Sequence, residues 1–106
     1  MAEGRPVKIV ILPTAKSDLK NIINYIALDS PKYARLEKLL IIGQIEKLRT
    51  VPELGRPYGD ISANIRQIVF RNYLIIYRIK DERLIEILTV HHHSRSAGNN
   101  PALKGI

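Results

Sequence analysis

The stretch from Asn64 to His93, NIRQIVFRNYLIIYRIKDERLIEILTVHHH, commits this chain to a fold with a sheet at its centre. β-Branched and aromatic residues dominate it, while Arg71-Asn72 and Lys80-Asp81-Glu82-Arg83 interrupt it, so it reads as three consecutive strands joined by two tight turns. In the middle strand, period-two alternation sends Tyr73, Ile75, Tyr77 and Ile79 to one face and Leu74, Ile76 and Arg78 to the other. Both faces are therefore mostly apolar. Helices covering one face would leave hydrophobic surface on the second, which a monomer seldom exposes without a partner. Arg66, Arg71, Arg78 and Arg95 fall at expected strand ends or turns. Guanidinium groups gathered there at one rim of the sheet would meet phosphate or carboxylate.

The residues before this stretch supply the cover. Val7 to Leu12, VKIVIL, suits a short strand closed by Pro13, and it is expected to join the later sheet. Thr14 offers a helix-capping oxygen, and Ala15, Leu19, Ile22 and Ile26 follow as one buried stripe to an end near Asp29. Ser30-Pro31 opens a second helix, since a serine cap with proline in the first turn is a preferred start. That helix is expected to reach about Thr50, burying Ala34, Ile41, Ile45 and Leu48 and widened by Leu40 and Ile42. The turn between the helices is short enough to make them an antiparallel hairpin. Gly43, inside the second helix, costs about 1 kcal/mol relative to alanine, and close packing against the first helix or the sheet is the expected reason for it. Pro52 to Gly59 carries two prolines and two glycines and forms an ordered connector.

Length and charge bound what such a domain does. The 106 residues make one domain with a single core, expected over residues 1–95, followed by a polar tail over residues 96–106 with little to bury. Seventeen Lys and Arg against ten Asp and Glu give a formal charge of +7, which favours an anionic partner, either nucleic acid or an acidic protein segment. The absence of cysteine excludes disulfides and thiolate chemistry. No stretch reaches the roughly 20 apolar residues of a membrane span. The start MAEGRPVK lacks a signal-peptide layout, so a cytoplasmic location is the expectation.

The order of these pieces resembles a known family. A strand, a helix hairpin, PELGRP at Pro52 to Pro57, IRQIVFRNYLIIYRI, and a last strand ending in His and Arg together resemble the ParE side of the RelE/ParE toxin superfamily, from about Val7 to Arg95. The resemblance implies an α+β domain whose N-terminal strand, helix hairpin and three-stranded antiparallel meander make one mainly antiparallel four-stranded sheet. It implies the toxin of a type II toxin–antitoxin, or plasmid stabilisation, system. The expected partners are an acidic antitoxin that holds the toxin inactive in a hetero-oligomer, and DNA gyrase as the target, with no cofactor. RelE-like members of the superfamily are instead ribosome-dependent messenger-RNA endonucleases. An inactive antitoxin-binding member is a further alternative.

The residues weigh against the nuclease branch. Metal-independent RNA cleavage needs a proton acceptor, cations for the developing phosphorane and an acid for the leaving oxygen. Arg66 and Arg78 are the candidate cations. His92, placed like the histidine that the resemblance puts near the end of the last strand, is the candidate for proton exchange. Arginine stays protonated and serves poorly as a base, so His92 would carry most of the transfer. The lysines that the resemblance implies for nucleases are missing from Tyr58 to Asn64, and Leu74 stands where many relatives carry arginine. The expected binding residues for target or antitoxin are Arg66, Arg71, Arg78, His92 and Arg95. His91, His92 and His93 do not read as a metal site, because strand neighbours face opposite ways and no carboxylate or cysteine follows.

Overall fold

The computed structural model describes residues 7–60, 62 and 64–92. Strand β1 (Lys8–Ile11) is followed by helices α1 (Pro13–Ala27) and α2 (Pro31–Glu46), a 3-10 turn (Lys47–Arg49), and strands β2 (Arg56–Pro57), β3 (Ile65–Phe70), β4 (Tyr73–Asp81) and β5 (Leu84–His92). The strands form one five-stranded sheet in the order β1-β5-β4-β3-β2, antiparallel throughout except for the parallel pair β1 and β5. This is the expected α+β architecture with one strand more than the sequence indicated. The extra strand is β2, in which Arg56 and Pro57 pair with Gln67 and Arg66. Proline donates no ladder hydrogen bond and is confined to sheet edges, which is where β2 lies.

Helix α1 opens on Pro13 itself, with Leu12 as a cap that makes no side-chain bond, so Thr14 does not play the capping part its position suggests. Ser30 does: its Oγ accepts a hydrogen bond from the Tyr33 amide at 3.0 Å. Helix α2 stops at Glu46, and the 3-10 turn carries the helical run to Arg49. The stripe read from the sequence holds, with Ala34, Ile41, Ile45 and Leu48 all buried. On α1 the stripe sits higher. Ala15 is buried while Leu19, Ile22 and Ile26 are half-buried, because α1 covers the flank of the sheet at β5 and meets α2 along its other side.

Strand β4 is central, and every residue from Tyr73 to Tyr77 is buried. On one face Tyr73, Ile75 and Tyr77 pack with Ile68, Ile85, Ile87 and Val90 against Ala15, Ile41, Ile45 and Leu48 of the helices. On the other, Leu74 and Ile76 are covered by Tyr58, Ile65 and Leu88. The second apolar face is thus closed by the chain itself. Gly43 departs from expectation: a Cβ built there meets nothing within 4 Å, so no internal contact requires glycine.

The register shifts between Ile76, opposite Thr89, and Tyr77, opposite Ile87, leaving Leu88 as the extra residue of a β-bulge. Asp18 of α1 bonds β5 just past the bulge. Its carboxylate accepts from the Val90 amide at 3.0 Å and from the buried Thr89 hydroxyl, tying helix to sheet beyond Ile11 and Ile87, the last pair of β1 and β5.

Truncating Ile41 or Ile76 to alanine is expected to lower unfolding stability by about 2 to 5 kcal/mol, whereas Leu39→Ala, at an exposed position, should change it by less than about 0.5 kcal/mol. Urea denaturation of the three variants measures the contrast. Equal losses at all three would refute the burial pattern.

Candidate functional site: a connector anchor and three separated arginines

Four of the expected site residues lie in the described part of the chain, and Arg95 lies outside it. The structure does not bring the four together. Each arginine has its own internal partner, and those partners define three separate places on the molecule.

The first place is the connector. Tyr77 is fully buried, and its hydroxyl lies at the end of the helix-side core. It donates to the Pro52 carbonyl at 2.8 Å and accepts from the Gly55 amide at 2.9 Å. Arg66, opposite Tyr77 on β3, donates through Nη1 to the Gly55 carbonyl at 2.8 Å. Gly55 is required by space, because a Cβ there would lie 2.5 Å from the Gln67 carbonyl oxygen and 2.9 Å from the Tyr77 ring. The PELGRP segment is therefore held at both faces of one glycine. Arg66 Nε is buried and finds no acceptor among the described residues. Burial pushes the Tyr77 phenol above its ordinary 10.0, against the opposing effects of the Gly55 hydrogen bond and the Arg66 charge.

The second place lies at the other end of β4. Arg71 occupies the β3–β4 turn with φ of 57°, the left-handed region, and its guanidinium reaches α2. Nε donates to Glu37 Oε2 at 3.3 Å, and Nη2 lies 3.4 Å from the Tyr33 hydroxyl and 3.3 Å from Glu37 Oε1. That last approach is an ion pair without hydrogen-bond alignment, which leaves Oε1 poorly satisfied. Glu37 is only 3 % exposed, so Arg71 is the cation that makes its burial tolerable. Burial raises the Tyr73 phenol, helped by the charge of Glu37 nearby. The His92 ring stands edge-on to Tyr73 with centroids 5.6 Å apart.

The third place is on the opposite face of the sheet. Arg78 pairs across strands with Glu86, with Nε 2.9 Å and Nη2 2.5 Å from one carboxylate oxygen. Arg78 faces the side of Leu74 and Ile76, whereas Arg66 and His92 lie opposite Tyr77 and Tyr73 on the helix side. His92 is four strand positions from Arg66, about 13 Å along the sheet at ~3.3 Å per residue. It is five positions, roughly 17 Å, from Arg78. No single phosphate spans the three.

A groove borders the outer edge of the sheet, lined by Gln44, Leu54, Gly55, Arg56, Gln67, Ile68 and Val69. β2 pairs only with Arg66 and Gln67, so among the described residues the β3 edge beyond Gln67 has no strand beside it, and Val69 is exposed there. Among the described residues no three His, Asp or Glu side chains stand close enough to hold a metal ion, and no helix is long and apolar enough to cross a membrane.

Sequence reasoning passed over Glu37 and Asp18, although both carried a signal. Glu37 falls three residues after Ala34 and four before Ile41, inside the buried stripe, and Asp18 falls three after Ala15. A carboxylate at such a position calls for an internal donor.

Replacing Tyr77 with phenylalanine is expected to cost about 1 to 3 kcal/mol, because the Gly55 amide and the Pro52 carbonyl lose their buried partner. The pH dependence has a defined sign. Tyr77 stays protonated in the fold at a pH where it ionises in the unfolded chain, so its contribution is complete below about pH 10 and is lost as pH rises beyond that. Urea titrations from pH 7 to 11 should show a steeper alkaline loss for the parent than for Tyr77→Phe. Identical slopes would remove Tyr77 as the cause.

No curated protein sequence matches the chain. Among solved structures, a chromosomal ParDE toxin–antitoxin system from P. aeruginosa superposes with a TM-score of 0.68 at 21% identity, covering 81% of this chain and 95% of that one. The toxin–antitoxin complex RelBE2 from Mycobacterium tuberculosis superposes with a TM-score of 0.59 at 24% identity, covering 82% and 98%. At these identities the two structures bear on the fold alone. The family described as the ParE toxin of the type II toxin–antitoxin system parDE matches residues 9–97, nearly the whole described domain. The chain belongs to the ParE toxin family of type II toxin–antitoxin systems.

Proposed function

We propose that this toxin acts in the cytoplasm by binding DNA gyrase and blocking it, without hydrolytic chemistry, and that an acidic antitoxin neutralises it by occupying its surface. The observation that carries the reading is the separation of Arg66, Arg78 and His92. General acid–base cleavage needs the proton donor and acceptor within hydrogen-bond reach of the atoms they serve, with the stabilising cations around the same phosphate. Here Arg78 is across the sheet from the other two, and every arginine among them already bonds within the chain. Binding makes no such demand. Arg71 and Arg78 keep 43% and 39% of their side-chain surface exposed while paired, enough to meet a carboxylate or phosphate on a partner. His92, the last residue of β5, extends that contact, and Arg95 adds its positive charge to it. Arg66 contributes by fixing the connector through Gly55.

Neutralisation by an acidic protein is supported by the formal charge of +7 and by membership of a family of type II toxin–antitoxin toxins. Charge draws such a partner in and apolar anchors hold it, so binding is expected to weaken with salt without disappearing.

The test is purified toxin with gyrase and relaxed plasmid beside toxin with programmed ribosomes. Inhibited supercoiling, intact message, and His92→Ala inhibiting within about threefold of the parent are the expected results, since a lost general acid or base would reduce cleavage by roughly 100-fold. Message cut on the ribosome with supercoiling untouched would overturn the proposal.

A further inference from the structure

Helix α1 turns to solvent a surface that carries no carboxylate. Lys16, Lys20 and Asn24 follow at steps of four, and Ser17, Asn21 and Tyr25 repeat those steps one residue on, so the six make two neighbouring rows, all exposed. Asp18 is the one acidic residue of the helix, and it is turned inward to the Val90 amide and the Thr89 hydroxyl. The next exposed carboxylate along the chain is Asp29, beyond the end of α1 at Ala27. Among the described residues neither lysine has an ion pair or a hydrogen bond; the ion-paired cations are Arg49, Arg71 and Arg78. Stability does not account for these lysines. Lys16 stands at the start of the helix, where the dipole favours an acid and the first turn holds none. Lys20 follows it at i+4, a like-charge spacing that weakens a helix. A pair set against both effects points to an outside anion.

The flanking side chains name that anion. Lysine, serine, asparagine and tyrosine are donors that grip a nucleic-acid backbone. The two rows hold no aliphatic anchor of the kind that seats a protein helix, and their single aromatic, Tyr25, makes no stacking platform for a single strand. A regular row of donors at steps of about 6 Å suits the regularly spaced phosphates of a duplex. We propose that the exposed face of α1 binds the phosphate backbone of double-stranded DNA, with Lys16 and Lys20 each neutralising a phosphate and Ser17, Asn21 and Asn24 donating hydrogen bonds beside them. Such binding carries no sequence preference. Lys32, Arg35 and Lys38, exposed on α2 in the same helical layer, strengthen the positive field that draws DNA in. Resting on the gyrase reading above for the source of the DNA, the duplex is the one gyrase acts on, so the toxin touches enzyme and substrate together.

The probe is a fluorescent DNA duplex titrated with the full toxin and its variants, followed by anisotropy over a series of salt concentrations and without gyrase. The parent should bind, with log affinity falling linearly in log salt. Lys16→Gln and Lys20→Gln made together should weaken binding at least tenfold or so at about 0.1 M salt and flatten that slope by about 2. Lys80→Gln, beside Asp81 at the far end of β4, should stay within about threefold of the parent. Lys16→Glu separates binding from folding. It should raise the folded-to-unfolded ratio of the toxin by about twofold, by suiting the dipole and pairing with Lys20, while weakening DNA binding. Unchanged affinity and slope in the double variant would overturn the proposal, as would a parent that leaves the duplex unbound at about 50 mM salt. Tighter binding of single-stranded RNA than of the duplex would overturn it in favour of RNA. Failure of the two readings is distinguishable: supercoiling inhibited by a toxin that binds no DNA would refute the contact and keep gyrase as target, whereas duplex binding with supercoiling untouched would keep the contact and refute gyrase.

Discussion

The hydroxyl of Tyr77 is the point on which the arrangement of this toxin depends. It sits on the central strand, at the end of a core shared by helices and sheet, and its two hydrogen bonds fix Pro52 and Gly55. Those bonds hold the connector against the sheet, where Arg56 and Pro57 become a fifth strand and the Gly55 carbonyl receives Arg66. Buried polar groups tolerate few alternative placements, since each lost partner leaves a desolvated donor or acceptor. A connector rich in proline and glycine is thereby given one conformation.

Similar polar ties recur wherever the apolar scaffold alone would leave freedom. Asp18 bonds α1 to β5 just past its bulge, and Glu37 bonds α2 to the β3–β4 turn through Arg71. Each joins a helix to the sheet near an irregular part of it, so hydrophobic burial supplies cohesion while the buried Glu37 and the half-buried Asp18 supply position. As a result Arg66 and Arg78 lie on opposite faces of the sheet and Arg71 at the β3–β4 turn, each bonded within the chain.

Much of this was legible in the residues. Strand alternation around Tyr73 to Ile79, the serine cap at Ser30 and the stripe Ala34, Ile41, Ile45 and Leu48 rest on local periodicity, which the folded chain keeps. What escaped depends on contacts distant in sequence. β2 is a strand only because Gln67 lies beside Arg56, and the prolines around it give no such hint. The expected gathering of arginines at one rim failed because alternation places Arg66 and Arg78 on opposite faces once the register of β3 and β4 is known. The pattern alone does not tell an exposed row from a buried one at the margin of a helix, so internal packing at Gly43 is what the sequence suggests, and the open space around the position shows otherwise.

The central proposal is that this toxin works by binding, with Arg66, Arg78 and His92 too far apart to serve one phosphate. Mapping transcript 5′ ends across cells within minutes of toxin induction tests it most directly. The account predicts an unchanged set of ends in translated messages, together with relaxation of plasmid DNA. New ends phased to codons within reading frames, absent when His92→Ala is induced instead, would contradict it.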